Sequence, residues 1–218
     1  MSFRSLSLFL ILLLFPFTVA SSTNERNGEY FDILPLFWSQ LYGEGGETLY
    51  CGKRFTPRKT RDFNVEHVFP MSWVTKALGC GSRDQCRRNS ERFNRIEADM
   101  HNLYPAIAKI NEARSAMAYG MVLGEQRKFG NCDFEVDEQR RRAEPRRAVR
   151  GNIARAMFYM HQQYGLRIYP SQGRLLLQWH RQDPPDAEER RRNDVIDRLQ
   201  GRRNRYIDEP GYADRLHF

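Results

Sequence analysis

The sequence predicts an α+β domain, mainly helical, on three observations. Apolar residues recur at helical spacing in several stretches between residues 29 and 200. Only two short runs, 48–51 and 63–69, have the composition of strands. The 218 residues contain no internal repeat and no low-complexity linker, so a single core is expected once an amino-terminal leader is set aside.

That leader is residues 1–20. Arg4 precedes an unbroken apolar run from Leu8 to Pro16, and Thr18-Val19-Ala20 supplies small residues for a signal peptidase. A membrane anchor is the alternative, but a spanning helix needs about 20 apolar residues and this run is shorter. Residues 21–218 are then a mature, secreted or periplasmic domain, expected to be a monomer with no membrane contact.

The elements follow in order. Residues 29–42 place Tyr30, Ile33, Leu34, Phe37, Trp38 and Leu41 at helical spacing before the glycines at 43, 45 and 46. Residues 48–51 and 63–69 are the two strands, the second closed by Pro70. Residues 73–78 suggest a helical turn, and 87–95 a charged surface segment. Pro105 suits the first turn of a helix, where its missing N–H costs nothing. Ala106, Ile110, Ala113 and Met117 continue that helix to near Gly120. A longer helix follows Glu144-Pro145, with Val149, Ile153, Met157 and Met160 inward and Gly165 as the stop. Leu175 to Trp179 give another, ended by Pro184-Pro185. Asp186 and Glu189 resemble a capping box for a final helix packed by Val195, Ile196 and Leu199.

The formal charge of +8 favours a polyanionic partner. The densest positive region comprises Arg140, Arg141 and Arg142 with Arg146, Arg147, Arg150 and Arg155. It reads equally as a phosphate-binding groove or as a solvated face balanced by Glu135, Asp137, Glu138 and Glu144. Four cysteines in a secreted chain suggest two disulfides. Cys80 and Cys86 can close a short loop, leaving Cys51 with Cys132. Zinc is the rival, but its cysteines usually come in pairs two to four residues apart.

Phe63-Asn64-Val65-Glu66-His67-Val68-Phe69-Pro70 sets a carboxylate beside an imidazole, and residues 99–111 bring Asn102 and Asn111. Phosphodiester hydrolysis needs a base for water, positive charge on the phosphate and help for the leaving oxygen. His67 can be that base. Glu66 and Asn111 are hard oxygen donors suited to Mg²⁺, with Ca²⁺ or Mn²⁺ as substitutes. One geometric objection stands: adjacent residues of a regular strand point to opposite faces.

Glu66-His67-Val68-x-Pro70, then Glu97-Ala98-Asp99-Met100-His101-Asn102-Leu103-Tyr104-Pro105-Ala106, then Asn111-Glu112-x-Arg114-Ser115 closely resemble the endonuclease I family of secreted bacterial nucleases, in the ββα-metal (His-Me finger) group. The segment Gly45-Gly46-x-Thr48-Leu49-Tyr50-Cys51-Gly52 and the stretch Ala143-Glu144-Pro145 to Met160 extend the likeness over nearly the whole mature chain. The resemblance implies a ββα-metal core in which two β-strands face the helix bearing Asn111. It implies Glu66 and Asn111 as metal ligands, His67 as general base and Asn102 as a residue that helps hold the histidine. Arg83 aligns with the phosphate-contacting arginine, with Arg87 or Arg88 as replacements because the loop from Trp73 to Cys86 is short. Arg114, Arg146, Arg147, Arg150 and Arg155 are expected to grip the nucleic acid. The expected activity is Mg²⁺-dependent, sequence-nonspecific cleavage of DNA, and of RNA as a further substrate, leaving 5′-phosphate ends. A catalytically inactive nucleic-acid-binding protein is the alternative; it would need a damaged catalytic set, and all four residues stand. A disulfide-stapled adhesion protein explains the cysteines and charge but not the ordered motifs.

Overall fold

A computed structural model describes residues 29–57, 62–124 and 127–218. The leader at 1–20, and part of the basic segment at 54–61, lie outside the described residues. No helix among the described residues is long and apolar enough to cross a membrane.

The apolar face read at residues 29–42 forms α1 (Tyr30–Leu36), which continues into a π-helical turn at Phe37–Leu41. Ile33, Phe37 and Leu41 point inward. The first strand expected at 48–51 is instead a turn. Gly52 takes the positive φ of 62° that closes it, and the Thr48 hydroxyl oxygen and carbonyl accept from the Lys53 and Gly52 amides. Short strands β1 (Gly46–Glu47) and β2 (Arg54–Phe55) flank the turn as an antiparallel pair.

The second strand appears as β3 (Phe63–His67). Its continuation at Val68 and Phe69 bends away and leads into α2 (Met71–Leu78), a full helix where a turn was expected. The segment expected to be a charged surface is two helices, α3 (Arg83–Asn89) and α4 (Glu91–Glu97), each begun by a serine cap. Ser82 and Gln85 exchange bonds as a capping box, and Ser90 accepts from the Phe93 amide. Most of the charged residues face solvent, Glu97 and its partner Arg87 excepted, while Phe93 and Ile96 are fully buried beneath them. Two apolar residues three apart are a weak periodic signal, and the serines were the better one.

Pro105 begins no helix. It lies in β4 (Leu103–Ile107), antiparallel to β3 with Glu66 opposite Tyr104 and His67 opposite Leu103. A proline pushes its predecessor to extended geometry, and a sheet of two strands leaves a flank where a missing N–H breaks no ladder. The chain then enters α5 (Ala108–Arg114), with Asn111 and Arg114 one turn apart. Strands β3 and β4 with α5 make the ββα core.

A three-stranded sheet of β5 (Ala118–Tyr119), β6 (Phe134–Asp137) and β7 (Arg142–Pro145), in the order β5-β7-β6, was not anticipated. It leads into α6 (Arg150–Tyr164), which carries the centre of the core: Ile153, Ala154, Met157, Phe158 and Met160 are buried on it. Helix α7 (Pro170–Gln182) packs Leu176 and Trp179 against α6. Helix α8 (Ala187–Gln200) ends at Gly201, and a short α9 (Arg205–Asp208) follows. Cys51 pairs with Cys132 and Cys80 with Cys86, so no thiolate remains for zinc.

Arg155, expected to contact nucleic acid, is wholly buried. It forms an ion pair with buried Glu189 and donates to the Asp183 carbonyl. The expected capping box is therefore half made: Asp186 accepts from the Glu189 amide, but the Glu189 carboxylate faces Arg155. A helical stripe of arginines looks like one face in sequence, yet this helix is enclosed on almost every side. Removing one partner of a buried pair strands the other charge, at a cost of about 3–5 kcal/mol. Glu189→Ala is expected to lose about that much in urea unfolding. A change below about 1 kcal/mol would return Arg155 to the surface.

Candidate active site

The site is assembled where β3 stops. Adjacent residues on a strand diverge, but here Glu66 and His67 are the last two, and both line one open cleft of about 330 Å³ beyond the strand end. Asn111, Arg114 and Ser115 from the end of α5 form one wall, and Arg83 and Met71 lie on another. Ser115 holds φ at +50°, a costly conformation for a residue with a side chain, and it sits where α5 must terminate at the cleft.

Tyr50 and Arg114 hold Glu66. Its Oε1 accepts from the Tyr50 hydroxyl at 2.6 Å and pairs with Arg114 at 3.0 Å. Tyr50 in turn meets the Tyr119 hydroxyl at 2.8 Å. Burial raises the Glu66 pKa, while Arg114 and Tyr50 oppose the rise by favouring the carboxylate. Arg114 also donates to the carbonyls of His67 and Val68, and its guanidinium lies 4.6 Å from the Tyr119 ring. Arg114, expected to touch nucleic acid, is thus a buried brace for the end of β3.

His67 is held through one nitrogen. Its Nε2 lies 3.0 Å from the Glu97 carbonyl oxygen, which can only accept, so Nε2 carries the proton. Nδ1 is then the nitrogen with the free lone pair. Burial, with the charges of Arg83, Arg87 and Arg114 opposing a further cation and the Glu97 carbonyl acting the other way, pushes the pKa down to about 3. The ring is therefore neutral at ordinary pH.

Asn102 does not touch the imidazole. Its amide clamps Phe69 from both sides, accepting from the Phe69 N–H at 2.6 Å and donating to the Phe69 carbonyl at 3.1 Å. It acts on the histidine through the chain two residues downstream. Asn111 donates through Nδ2 to Asn64 Oδ1 and the Val65 carbonyl, leaving its own Oδ1 as the acceptor.

Glu97 links the two halves of the site. Its carbonyl holds His67, while its buried carboxylate receives Arg83 and, through two bonds of 2.8 Å, Arg87. Arg83 keeps 42% of its side chain exposed and lines the cleft, whereas Arg87 is committed to Glu97 and Asp84, and Arg88 is exposed outside the cleft. Of the three, Arg83 is the one beside His67.

The other arginines differ. Arg150 pairs with Glu144 at 2.6 Å and lies over Trp179. Arg146 donates to the Leu49 carbonyl and lines a separate cleft with Glu47 and Glu188. Only Arg147 of this group is exposed. Of the two readings that charge left open, the pairs Arg140–Asp137 and Arg150–Glu144 follow the balanced one, because each arginine's neighbours in space, not in sequence, decide whether it is already paired.

Among the described residues, no three His, Cys, Asp or Glu side chains gather into a metal cage. One carboxylate and one amide oxygen, both hard donors at an open cleft, nevertheless fit an Mg²⁺-like ion, which keeps several waters and takes few protein ligands.

The family described as Endonuclease I matches residues 20–211. The chain belongs to the Endonuclease I family. It is 35% identical to an extracellular deoxyribonuclease of Aeromonas hydrophila over 215 residues, covering 88% of this chain and 93% of the relative. It is 33% identical to a periplasmic deoxyribonuclease of the same species over 230 residues, covering 94% and 97%. An extracellular ribonuclease of Bacillus amyloliquefaciens is 35% identical over 173 residues, 71% of this chain and 54% of the relative. The protein is therefore a hydrolase of the endonuclease class that works outside the cytoplasm, and the family is in general metal-dependent.

Sequence reasoning did not single out Tyr30, Tyr50, Tyr119 or Glu97. Tyr50 and Glu97 stood inside the motifs that carried the family likeness, and that was the available signal. Tyr30, whose ring lies 5.1 Å from that of His67, gave none.

Burial depresses the imidazoles of His67, His101 and His180 below the unfolded value of about 6.5. The unfolded chain therefore binds more protons, and the stability these groups contribute is complete above pH 6.5 and lost as pH falls toward about 3. Glu66, with its raised pKa, contributes in the opposite sense, its share being lost as pH rises. Urea midpoints are expected to fall between pH 6.5 and 5.5, where histidines dominate. A flat profile there would mean that these rings are solvated.

Proposed function

We propose that this endonuclease hydrolyses DNA without regard to base sequence, as a monomer, using His67 as the general base, Glu66 and Asn111 to hold Mg²⁺, and Arg83 on the phosphate. One observation carries the reading: the Glu97 carbonyl accepts a hydrogen bond from His67 Nε2–H, which fixes that tautomer, so a neutral imidazole offers Nδ1 at a cleft that also contains Glu66, Asn111 and Arg83. Residues 1–20 are taken as the secretion signal and 21–218 as the mature nuclease domain.

A divalent cation bound there, Mg²⁺ or in its place Ca²⁺ or Mn²⁺, would supply positive charge to the phosphate and the leaving oxygen. The remaining work belongs to the chain. His67 Nδ1 accepts a proton from water as the water attacks phosphorus in line with the departing 3′ oxygen, leaving a 5′-phosphate. Rotation of the ring is opposed by the bond to the Glu97 carbonyl and by the Tyr30 ring, which lies tilted against it at 5.1 Å. Arg83, steadied by Glu97, keeps donors for phosphate oxygens, and Tyr50 and Arg114 fix the Glu66 carboxylate. Phosphate contacts carry no base information, which supports slight sequence preference. The Aeromonas relatives named deoxyribonucleases support DNA as substrate, and the Bacillus relative named a ribonuclease supports RNA as a second one.

His67→Ala is expected to lower kcat on supercoiled plasmid about 10²–10⁴-fold, because a base acts in the transition state, with DNA affinity nearly kept. A loss confined to affinity would remove His67 from that role. EDTA is expected to abolish cleavage, and added Mg²⁺ to restore it. Tyr50→Phe deletes the 2.6 Å bond to Glu66 and should raise the Mg²⁺ concentration for half-maximal rate about tenfold or more. An unchanged Mg²⁺ dependence would take Glu66 out of the ligand set.

A further inference from the structure

An aromatic ladder leads outward from the catalytic imidazole. The His67 ring lies 5.1 Å from Tyr30, and Tyr30 meets Phe31 edge-to-face at 5.5 Å. The Arg83 and Arg87 guanidiniums lie over Tyr30 at 5.7 and 5.8 Å, and Arg87 lies 4.8 Å from the Phe31 ring. Arg87 is locked by its bonds to Glu97 and Asp84, so this backing is rigid. The outermost rung, Phe31, is 60% exposed, a large apolar surface for a residue one position from a ring that packs on the active site.

The geometry points to Phe31 as a stacking platform for an unpaired nucleobase of the strand being cut. This rests on the nuclease reading above. The occupant follows from the surroundings: the platform reaches the cleft by way of Tyr30 and Arg83, and Arg83, partly exposed at the cleft, suits a strand whose phosphates are anionic. A phenyl ring presents one flat apolar face that any base can cover, so stacking adds affinity without sequence preference. In a duplex both faces of each base are already covered. The platform therefore meets a base only in a single strand, a loop or a frayed end, and the enzyme should favour those substrates.

The test uses a single-stranded oligonucleotide carrying 2-aminopurine, bound in low salt with EDTA so that binding is read without cleavage. Wild type is expected to quench the fluorescence and to bind the single strand about tenfold more tightly than Phe31→Leu, which keeps apolar bulk but loses the ring. Phe31→Trp should keep both properties. Equal quenching and affinity in wild type and Phe31→Leu, or no quenching by wild type, overturns the platform. Plasmid cleavage with Mg²⁺ is scored separately. Quenching without cleavage would sink the nuclease reading and leave the platform standing; cleavage without ring-dependent quenching would do the reverse.

Discussion

Arg114 is the interaction on which the site depends. A guanidinium has donors in a rigid planar fork, and here they reach Glu66, the carbonyls of His67 and Val68, and Ser115, while its face lies against Tyr119. One side chain on α5 therefore ties the helix to the last residues of β3. Burying such a charge costs several kcal/mol unless its partners compensate, and the carboxylate of Glu66 and three carbonyls do so. The arrangement rigidifies the place where two neighbouring residues must serve one cleft.

From this brace the fold reads outward. Asn102 clamps Phe69 so that the chain leaves β3 abruptly, and the abrupt exit is what makes both final strand residues accessible from one opening. The Cys51–Cys132 disulfide neighbours Tyr50, the second anchor of Glu66, and closes a long chain segment, which limits the unfolded ensemble. Glu97 serves in two ways at once, its backbone on the base and its carboxylate on the arginines, so base and phosphate ligand share one support. The catalytic groups sit on ordered backbone on all sides, as a preorganised electrostatic site requires.

The legible parts of the fold were those with a strong local signal. Helix α6 showed its buried stripe and its glycine stop, β3 its short apolar run and proline, and the disulfides their spacing in a secreted chain. Pro105 was misread because a proline suits both a helix start and an extended strand, and only pairing with Val65 decides between them. Strand β7 was missed because Arg142 and Glu144 interrupt its apolar pattern, and β6 because Phe134 and Val136 are its only two apolar residues. Helices α3 and α4 were hidden by charged faces that outnumber the few buried residues.

The sequence by itself determined the class of chemistry: an ordered set of Glu66, His67, Asn102 and Asn111 in recognisable motifs, because the reaction demands those functional groups whatever surrounds them. Which arginines are free was decided by the tertiary structure alone. Arg83, Arg114, Arg150 and Arg155 are chemically identical in the chain, and they become a cleft residue, a brace, a partly buried pair and a fully buried pair according to the acceptors that folding brings within reach. The tautomer of His67 belongs to the same category. It depends on a carbonyl 30 residues away, and a hydrogen bond between such distant positions exists only once β3 and α4 have packed together.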